Sequence, residues 1–167
     1  MTEAEYKLET ELWKTLKSDR TVMLGLSGVE EGHSQPMTAL LLHDEDARGP
    51  IWFFTSKDTD LARALDGSQR AVAHFAAKDH GLFASLHGEL AIESDRRILD
   101  QLWNSFIAAW FEGGKTDPKL LLLRLDPERA QVWLNENSLW AAVKLLLGRD
   151  PKKEYQGKVG DIQLTSH

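Results

Sequence analysis

The sequence contains no cysteine, which excludes disulfides, thiolate nucleophiles and zinc–thiolate sites. It also lacks an excess of positive charge. The formal net charge is -6 and the isoelectric point is near 5.5, which argues against general nucleic-acid binding. The first twelve residues carry acidic side chains and no continuous apolar run, which argues against a signal peptide or a membrane-spanning helix. We therefore expect a cytoplasmic protein whose partners are neither nucleic acid nor membrane.

Compact catalytic and phosphate-binding motifs are missing as well. No GxGxxG follows a predicted strand and no GxxxxGK[ST] occurs, so neither a dinucleotide fingerprint nor a P-loop is present. The six histidines form no HExxH or HxH pattern, and we expect no metal site. Ser85 and His87 could share a strand face, but no GxSxG elbow surrounds the serine, so the pattern does not favour a hydrolase.

The 167 residues, 42% of them hydrophobic, suit one globular domain, placed at residues 1–150, with a loosely held polar C-terminal tail at 151–167. Residues 126–129, Asp-Pro-Glu-Arg, suit a type I turn and predict a hairpin between the last two strands. The absence of regular strand–helix alternation predicts an α+β fold, an antiparallel barrel with peripheral helices. Apolar periodicity predicts helices at 5–17, 58–65, 94–106 (either continuous or broken) and 138–147, and strands at 21–27, 35–43, 51–55, 71–77, 82–92, 120–125 and 130–134.

The segment over residues 49–59 joins an aromatic strand to hydroxyls and a lysine where a helix should start. One interpretation is a site for a phosphorylated cofactor, in which Thr55, Ser56 and Lys57 complement the N–H groups of the helix N-terminus. The other is an ordinary helix cap, since Ser and Thr are common at that position. Taken alone, the segment favours the cap.

Six tryptophans are many for this length, and most are expected in the core or at an interface. Trp110 and Phe111 precede Gly113-Gly114, and bulky aromatics beside a flexible loop indicate a contact surface.

Several segments carry, in order over about residues 5–135, a resemblance to a known family. They are Gln35-Pro36-Met37-Thr38, similar to an Arg-Pro-Met-Thr strand; residues 51–56; the Gly88 strand; Leu102-Trp103-Asn104; residues 109–114; and residues 121–133. Together they resemble the general stress protein branch of the pyridoxamine 5'-phosphate oxidase-like FMN-binding split-barrel family.

That resemblance implies a six-stranded antiparallel split β-barrel that forms a homodimer, with FMN, or FAD, in two clefts between the subunits. Trp103, Trp110, Phe111 and Trp133 are the expected interface or cleft-wall residues. By position, the residues implied to bind the cofactor are Gln35, Pro36, Met37 and Thr38 at the flavin ring, Phe54, Thr55 and Ser56 along the ribityl chain towards the phosphate, and Lys57, Thr59 and Trp133.

The chain departs from the family pattern at the implied phosphate site. Gln35 stands where relatives often have Arg, and Asp60 and Leu61 stand where they have a basic pair, so phosphate binding should be weakened. The C-terminal Arg and His of true pyridoxamine phosphate oxidases are missing. We expect a flavin-dependent oxidoreductase of unknown substrate, linked to stress response. The alternative is a non-catalytic protein that sequesters or senses a flavin, or a cofactor-less dimeric binding protein.

Overall fold

The computed structural model describes residues 1–42, 48–135 and 159–164. Its first element, helix α1, forms where the sequence supplies both an N-terminal cap and an apolar face. Thr2 and Glu5 form a reciprocal capping box at the start of α1 (Glu3–Asp19), each side chain accepting a hydrogen bond from the other residue's backbone N–H. Leu12 and Leu16 on its apolar face are fully buried. The predicted helix at 5–17 is therefore confirmed, with two more residues at each end.

Seven strands, three further α-helices and one short 3₁₀ helix (Gly114–Thr116) follow α1 in the described residues, and all strand pairs are antiparallel. The α+β class is confirmed. The predicted strands at 120–125 and 130–134 are one strand, β6, and β7 was not predicted. None of the described helices is long and apolar enough to cross a membrane. The strands are β1 (Thr21–Leu26), β2 (Gln35–Thr38), β3 (Ile51–Ser56), β4 (Gln69–Ala76), β5 (Leu82–Ile92), β6 (Leu120–Leu134) and β7 (Val159–Gln163); the helices are α2 (Asp60–Ala64), α3 (Arg96–Leu102) and α4 (Ser105–Ala108).

The sheet curls until its two ends nearly meet. The strand order is β2-β1-β4-β5-β6-β3, with β7 also paired to β6. Just beyond β2, Leu40 exchanges two backbone hydrogen bonds of 2.9 Å with Trp52 of β3. Past this single bridge, within the described part of the chain, β2 pairs only with β1 and β3 only with β6. The barrel is therefore split between β2 and β3.

Two apolar clusters cover opposite faces of the sheet. The main core lies inside the curl, around Phe53 and Leu123, and α1 packs against it. A smaller cluster joins Leu99 and Leu102 of α3 to the outer face of β3 and β6. The continuous leucine run of residues 120–123 arises because β6 is buried on both faces there.

The predicted hairpin over residues 126–129 is wrong, because β6 continues through it as one strand. The register against β5 shifts there instead: Gly88 lies opposite Pro127, and Glu128 is the additional residue of a β-bulge. A bulge tolerates proline, which cannot donate a ladder hydrogen bond. A Cβ on Gly88 would collide with the backbone oxygen of Asp126, so glycine allows the two strands to approach.

Two other elements differ from the predictions. The predicted strand at 35–43 is shorter, since β2 ends at Thr38. The predicted helix at 94–106 is broken into α3 and α4, because the Asn104 side chain accepts the Ile107 N–H at 2.9 Å and starts a new helix. The predicted helix at 138–147 lies outside the described residues.

The expectation of a loosely held tail is wrong for residues 159–164. They form β7 and its continuation, paired along β6. Ile162 is 1% exposed, and Leu164 is buried with it, two residues further on. This alternation of apolar residues is the period of a strand with one buried face, and it was hidden by the polar composition of the surrounding segment.

Replacing Ile162 tests how much β7 stabilises the fold. Ile162→Ala should lower the free energy of unfolding by about 2–5 kcal/mol, because it removes buried methyl groups and leaves a cavity. Gln163→Ala, at the adjacent exposed position, should change it by no more than about 0.5 kcal/mol. Urea denaturation followed by tryptophan fluorescence measures both. Equal stability of the two variants would show that β7 contributes little.

Candidate functional site

A cleft of about 870 Å³ opens at the split between β2 and β3. Its volume lies within the range of small-molecule sites, about 300–1,000 Å³. Three walls surround it: the two strands, the α1–β1 junction together with Lys78, and the segment that begins at Asn104 and includes α4. The predicted residues of the two strands all line it, namely Gln35, Pro36, Met37, Thr38, Phe54, Thr55 and Ser56.

The strand edges direct backbone groups into this cleft. Trp52 directs its N–H and C=O across to Leu40, and the alternation of an antiparallel strand turns those of Phe54 the same way. By the same alternation, the N–H of Thr38 points towards β3. The next residue to point there, Pro36, has no N–H to offer. The split therefore presents backbone donors at Thr38 and Phe54 to any ligand with a polar edge.

The strand wall combines apolar surface with weakly held polar groups. The side chains of Met37 and Thr55 are buried beneath the cleft. Gln35 Nε2 lies 3.4 Å from Met37 Sδ and 3.5 Å from Thr55 Oγ1, which are long contacts with neutral acceptors. The Gln35 amide is thus positioned to donate to a stronger acceptor in the cleft.

The predicted phosphate-binding hydroxyls already make local hydrogen bonds. Thr59 Oγ1 accepts the Ala62 N–H at 3.2 Å and donates to the Ser56 carbonyl at 3.0 Å. Ser56 Oγ accepts the Asp58 N–H at 3.2 Å. Thr59 is therefore the N-cap of α2, as the ordinary interpretation of this segment expects, and Thr59 is not among the residues that line the cleft.

Lys57 lies outside the cleft. Its backbone N–H donates to the Lys119 carbonyl at 2.9 Å, and it lines a separate cavity of about 280 Å³ with Asp95, Arg96 and Lys115. The lysine predicted next to the phosphate is thus not brought together with the residues of β2.

The charged groups of the cleft lie on the α1–β1 side. Among the described residues that line it, these are Asp19, Arg20 and Lys78. Asp19 Oδ2 accepts the Lys78 N–H at 2.7 Å, and Arg20 ends α1 in the left-handed conformation with φ 64°. These residues were not predicted from the sequence, because Lys78 is far from α1 along the chain. The sequence offered one signal for Arg20, which is a basic residue directly after the predicted helix.

The third wall is uncharged and aromatic. It consists of Asn104, Ser105, Phe106, Ile107, Trp110 and Phe111. Trp103 lies behind it, edge-on to Phe54 with ring centroids 5.7 Å apart. This arrangement places the Trp110-Phe111 pair noted in the sequence on the cleft.

Trp133 lies on a different surface. It lines a groove of about 480 Å³ on the outer face of β1, β4, β5 and β6, together with the exposed side chains of Met23 and Phe83. Thr21 lines both this groove and the cleft, so the two surfaces meet at that residue. Trp133 itself lies on β6, three strands away from β1, and does not line the cleft.

Ser85 is paired with His74 across the strands, not with His87. Its Oγ lies 2.9 Å from His74 Nδ1. Burial, followed by the charge of Arg129, lowers the pKa of His87, which favours the neutral form of its ring. β4 and β5 are interior strands whose backbone N–H groups are used in the ladders, which leaves no pair of donors for an oxyanion. The geometry fits a cross-strand polar pair rather than a hydrolase.

Comparison with known sequences identifies related proteins. The chain matches the family model described as "Pyridoxamine 5'-phosphate oxidase like" over residues 7–155. General stress protein 26 of Bacillus subtilis is 29% identical over 108 residues, which cover 62% of this chain and 73% of that protein.

Solved structures share the fold over most of the chain. A general stress protein 26 from Jannaschia has a TM-score of 0.80 and 32% identity, and the match covers 96% of this chain and 99% of that one. A general stress family protein of Xanthomonas campestris has a TM-score of 0.73 and 53% identity, with coverage of 83% and 93%. The general stress FMN/FAD binding protein of Xanthomonas citri has a TM-score of 0.73 and 56% identity, with coverage of 80% and 92%. The chain therefore belongs to the pyridoxamine 5'-phosphate oxidase-like family, as a relative of the general stress proteins.

Proposed function

We propose that this protein binds FMN in the cleft between β2 and β3 and acts as a flavin-dependent oxidoreductase. The observation that carries the proposal is the split strand edge, which combines backbone donors at Thr38 and Phe54 with the apolar surface of Met37 in one cleft. A flavin ring has this composition, an apolar body with one polar edge. The 56% identical Xanthomonas citri relative is described as binding FMN or FAD, which supports the same ligand class here.

The residues present fit a flavin along the strand wall. The N–H groups of Thr38 and Phe54 would hold the polar edge of the ring, and Met37 would exclude water from it. The hydroxyls of Thr55 and Ser56 and the amide of Gln35 lie further along the same wall. The flavin, when bound, supplies the electron transfer, while these residues bind and orient it.

The phosphate end of this site is neutral. Gln35 replaces the family's arginine, and Lys57 lies in another cavity. A neutral hydrogen bond contributes about 0.5–1.5 kcal/mol, against about 1.5–3 kcal/mol when one partner is charged. This observation favours a second candidate function, a non-catalytic protein that takes up and releases a flavin.

A homodimer is the second part of the proposal. Met23 is 42% exposed, and with Phe83 and Trp133 it forms an apolar groove on the outer face of the sheet. An exposed apolar patch of this kind is characteristic of an interaction site. Because Thr21 lines both the groove and the cleft, a second copy on this face would lie next to the cleft.

A Gln35→Arg substitution tests the flavin site. We expect it to lower the FMN dissociation constant about fivefold, because a charge-assisted contact adds about 1 kcal/mol over a neutral one. Quenching of flavin fluorescence measures the affinity. Gln163→Arg adds the same charge on β7 and should leave the affinity near that of the wild type.

The same titration can refute the proposal. If the wild type binds neither FMN nor FAD, the flavin site is wrong. If Lys57→Ala weakens FMN binding, the lysine contacts the ligand although it lines the separate cavity, and Lys57 belongs to the flavin site after all.

Anaerobic reduction separates the two candidate functions. For the oxidoreductase we expect NADH or NADPH to bleach the visible absorption of the bound flavin, with reoxidation when air is admitted. Tight binding with no reduction by either donor would instead support the flavin-sequestering protein. Free FMN under the same conditions serves as the control for reduction in solution.

A Met23→Asp substitution tests the dimer surface. A buried charge at an interface is costly, so we expect this variant to be monomeric at a concentration where the wild type is dimeric. Val29→Asp changes a residue of similar exposure, 41%, that does not line the groove, and it should remain dimeric. Light scattering coupled to gel filtration gives the mass. A wild-type monomer at micromolar concentration would overturn the dimer.

A further inference from the structure

The uncharged wall of the cleft exposes two large aromatic side chains. Phe106 is 66% exposed and Trp110 is 75% exposed, and both line the cleft. Aromatic side chains bury about 150–250 Å² each when they are covered, so leaving two of them in water beside a cleft forgoes a large stabilisation. The strand wall that would hold the flavin lies elsewhere in the cleft and does not use them.

We propose that Phe106 and Trp110 form a stacking subsite for a second ligand, an uncharged planar aromatic compound of the quinone class. This inference rests on the proposed function, since the flavin is taken to occupy the wall made by β2 and β3. It assigns the second substrate class to the same cleft.

The distribution of charge selects an uncharged ligand. The charged groups of the cleft, Asp19, Arg20 and Lys78, lie on the α1–β1 side, while the described residues of the α4 wall that line the cleft are uncharged. Burying an ionic group beside that wall without a partner would cost several kcal/mol. A neutral quinone carries no such cost.

Hydrogen bonds fix the backbone that carries the aromatic wall. The Asn104 side chain caps α4, and the Trp110 backbone N–H donates to the Ile107 carbonyl at 3.0 Å. Beyond it, the Gly113 N–H donates to Asp117 Oδ2 at 3.0 Å and fixes the following turn. Because the backbone is already ordered, only the rotamers of the two rings need to be fixed when a flat ligand binds, which lowers the entropic cost of binding.

The cleft has room for a second ring system. Its volume of about 870 Å³ is near the upper end of the range for single small-molecule sites, about 300–1,000 Å³. Stacking would use the ring face of Trp110, while Ser105 supplies a hydroxyl on the same wall that can donate to a quinone oxygen.

The experiment measures binding of 1,4-naphthoquinone to the FMN-loaded full-length protein by isothermal titration calorimetry. Trp110→Ala should weaken binding about 2- to 12-fold, the equivalent of the 0.5–1.5 kcal/mol of an aromatic pair, and Trp110→Phe should restore most of it. Tyr6→Ala removes an exposed aromatic ring of α1 that lines neither the cleft nor the outer groove, and it should have no effect. A naphthoquinone sulfonate of the same ring size should bind the wild type more weakly than the neutral compound.

Other outcomes would overturn the subsite. Equal naphthoquinone affinity of the wild type and Trp110→Ala would remove Trp110 from it, and preference for the sulfonate would contradict a neutral ligand. A Trp110→Ala variant that becomes monomeric by light scattering would assign this side chain to a subunit contact. If FMN itself does not bind but naphthoquinone binding still depends on Trp110, the flavin proposal fails and the subsite remains.

Discussion

The bridge between Leu40 and Trp52 is the contact on which the rest of the architecture depends. It joins the two ends of the curled sheet with two hydrogen bonds and thereby sets where the barrel closes and where it stays open. Trp52 is held from its side chain as well: its Nε1 donates to Glu93 at 3.4 Å, and the Arg124 guanidinium lies 5.9 Å from the ring centroid. Because this residue is fixed by both backbone and side chain, the split begins at a defined point, and the cleft follows from it.

Such closure requires the long strands to bend. A flat sheet does not curl on itself, and bulges are the usual means of coiling one. The bulge at Glu128 provides the bend in β6, and Gly88 allows β5 to follow it closely. Trp13 of α1 and Pro127 both lie against Gly49, where an added Cβ would be 3.3 Å from each, so the bent strand also contacts the helix that covers the core. Some of the residues that shape the cleft therefore lie far from it.

Periodicity in the sequence predicted most strands, because the strand pattern is local. It predicted β5 with the correct bounds, since apolar residues alternate over its whole length. The predicted hairpin at 126–129 was wrong because an Asp-Pro pair is compatible with both a chain reversal and a β-bulge. Only the pairing with β5 decides between the two. The position of Lys57 was not predictable either, since its direction depends on a hydrogen bond to Lys119, about sixty residues away. The charged wall of the cleft combines two chain segments that no short motif connects.

The donors that face the split are backbone groups, those of Thr38 on β2 and Phe54 on β3. The orientation of Thr38 and Phe54 is fixed by strand pairing, so it does not depend on which side chain occupies position 35. If a flavin binds there, as proposed, these backbone groups would orient its ring whatever the side chain at position 35. A neutral side chain at that position would change only how strongly the phosphate is held, because charge-assisted hydrogen bonds are about twice as strong as neutral ones.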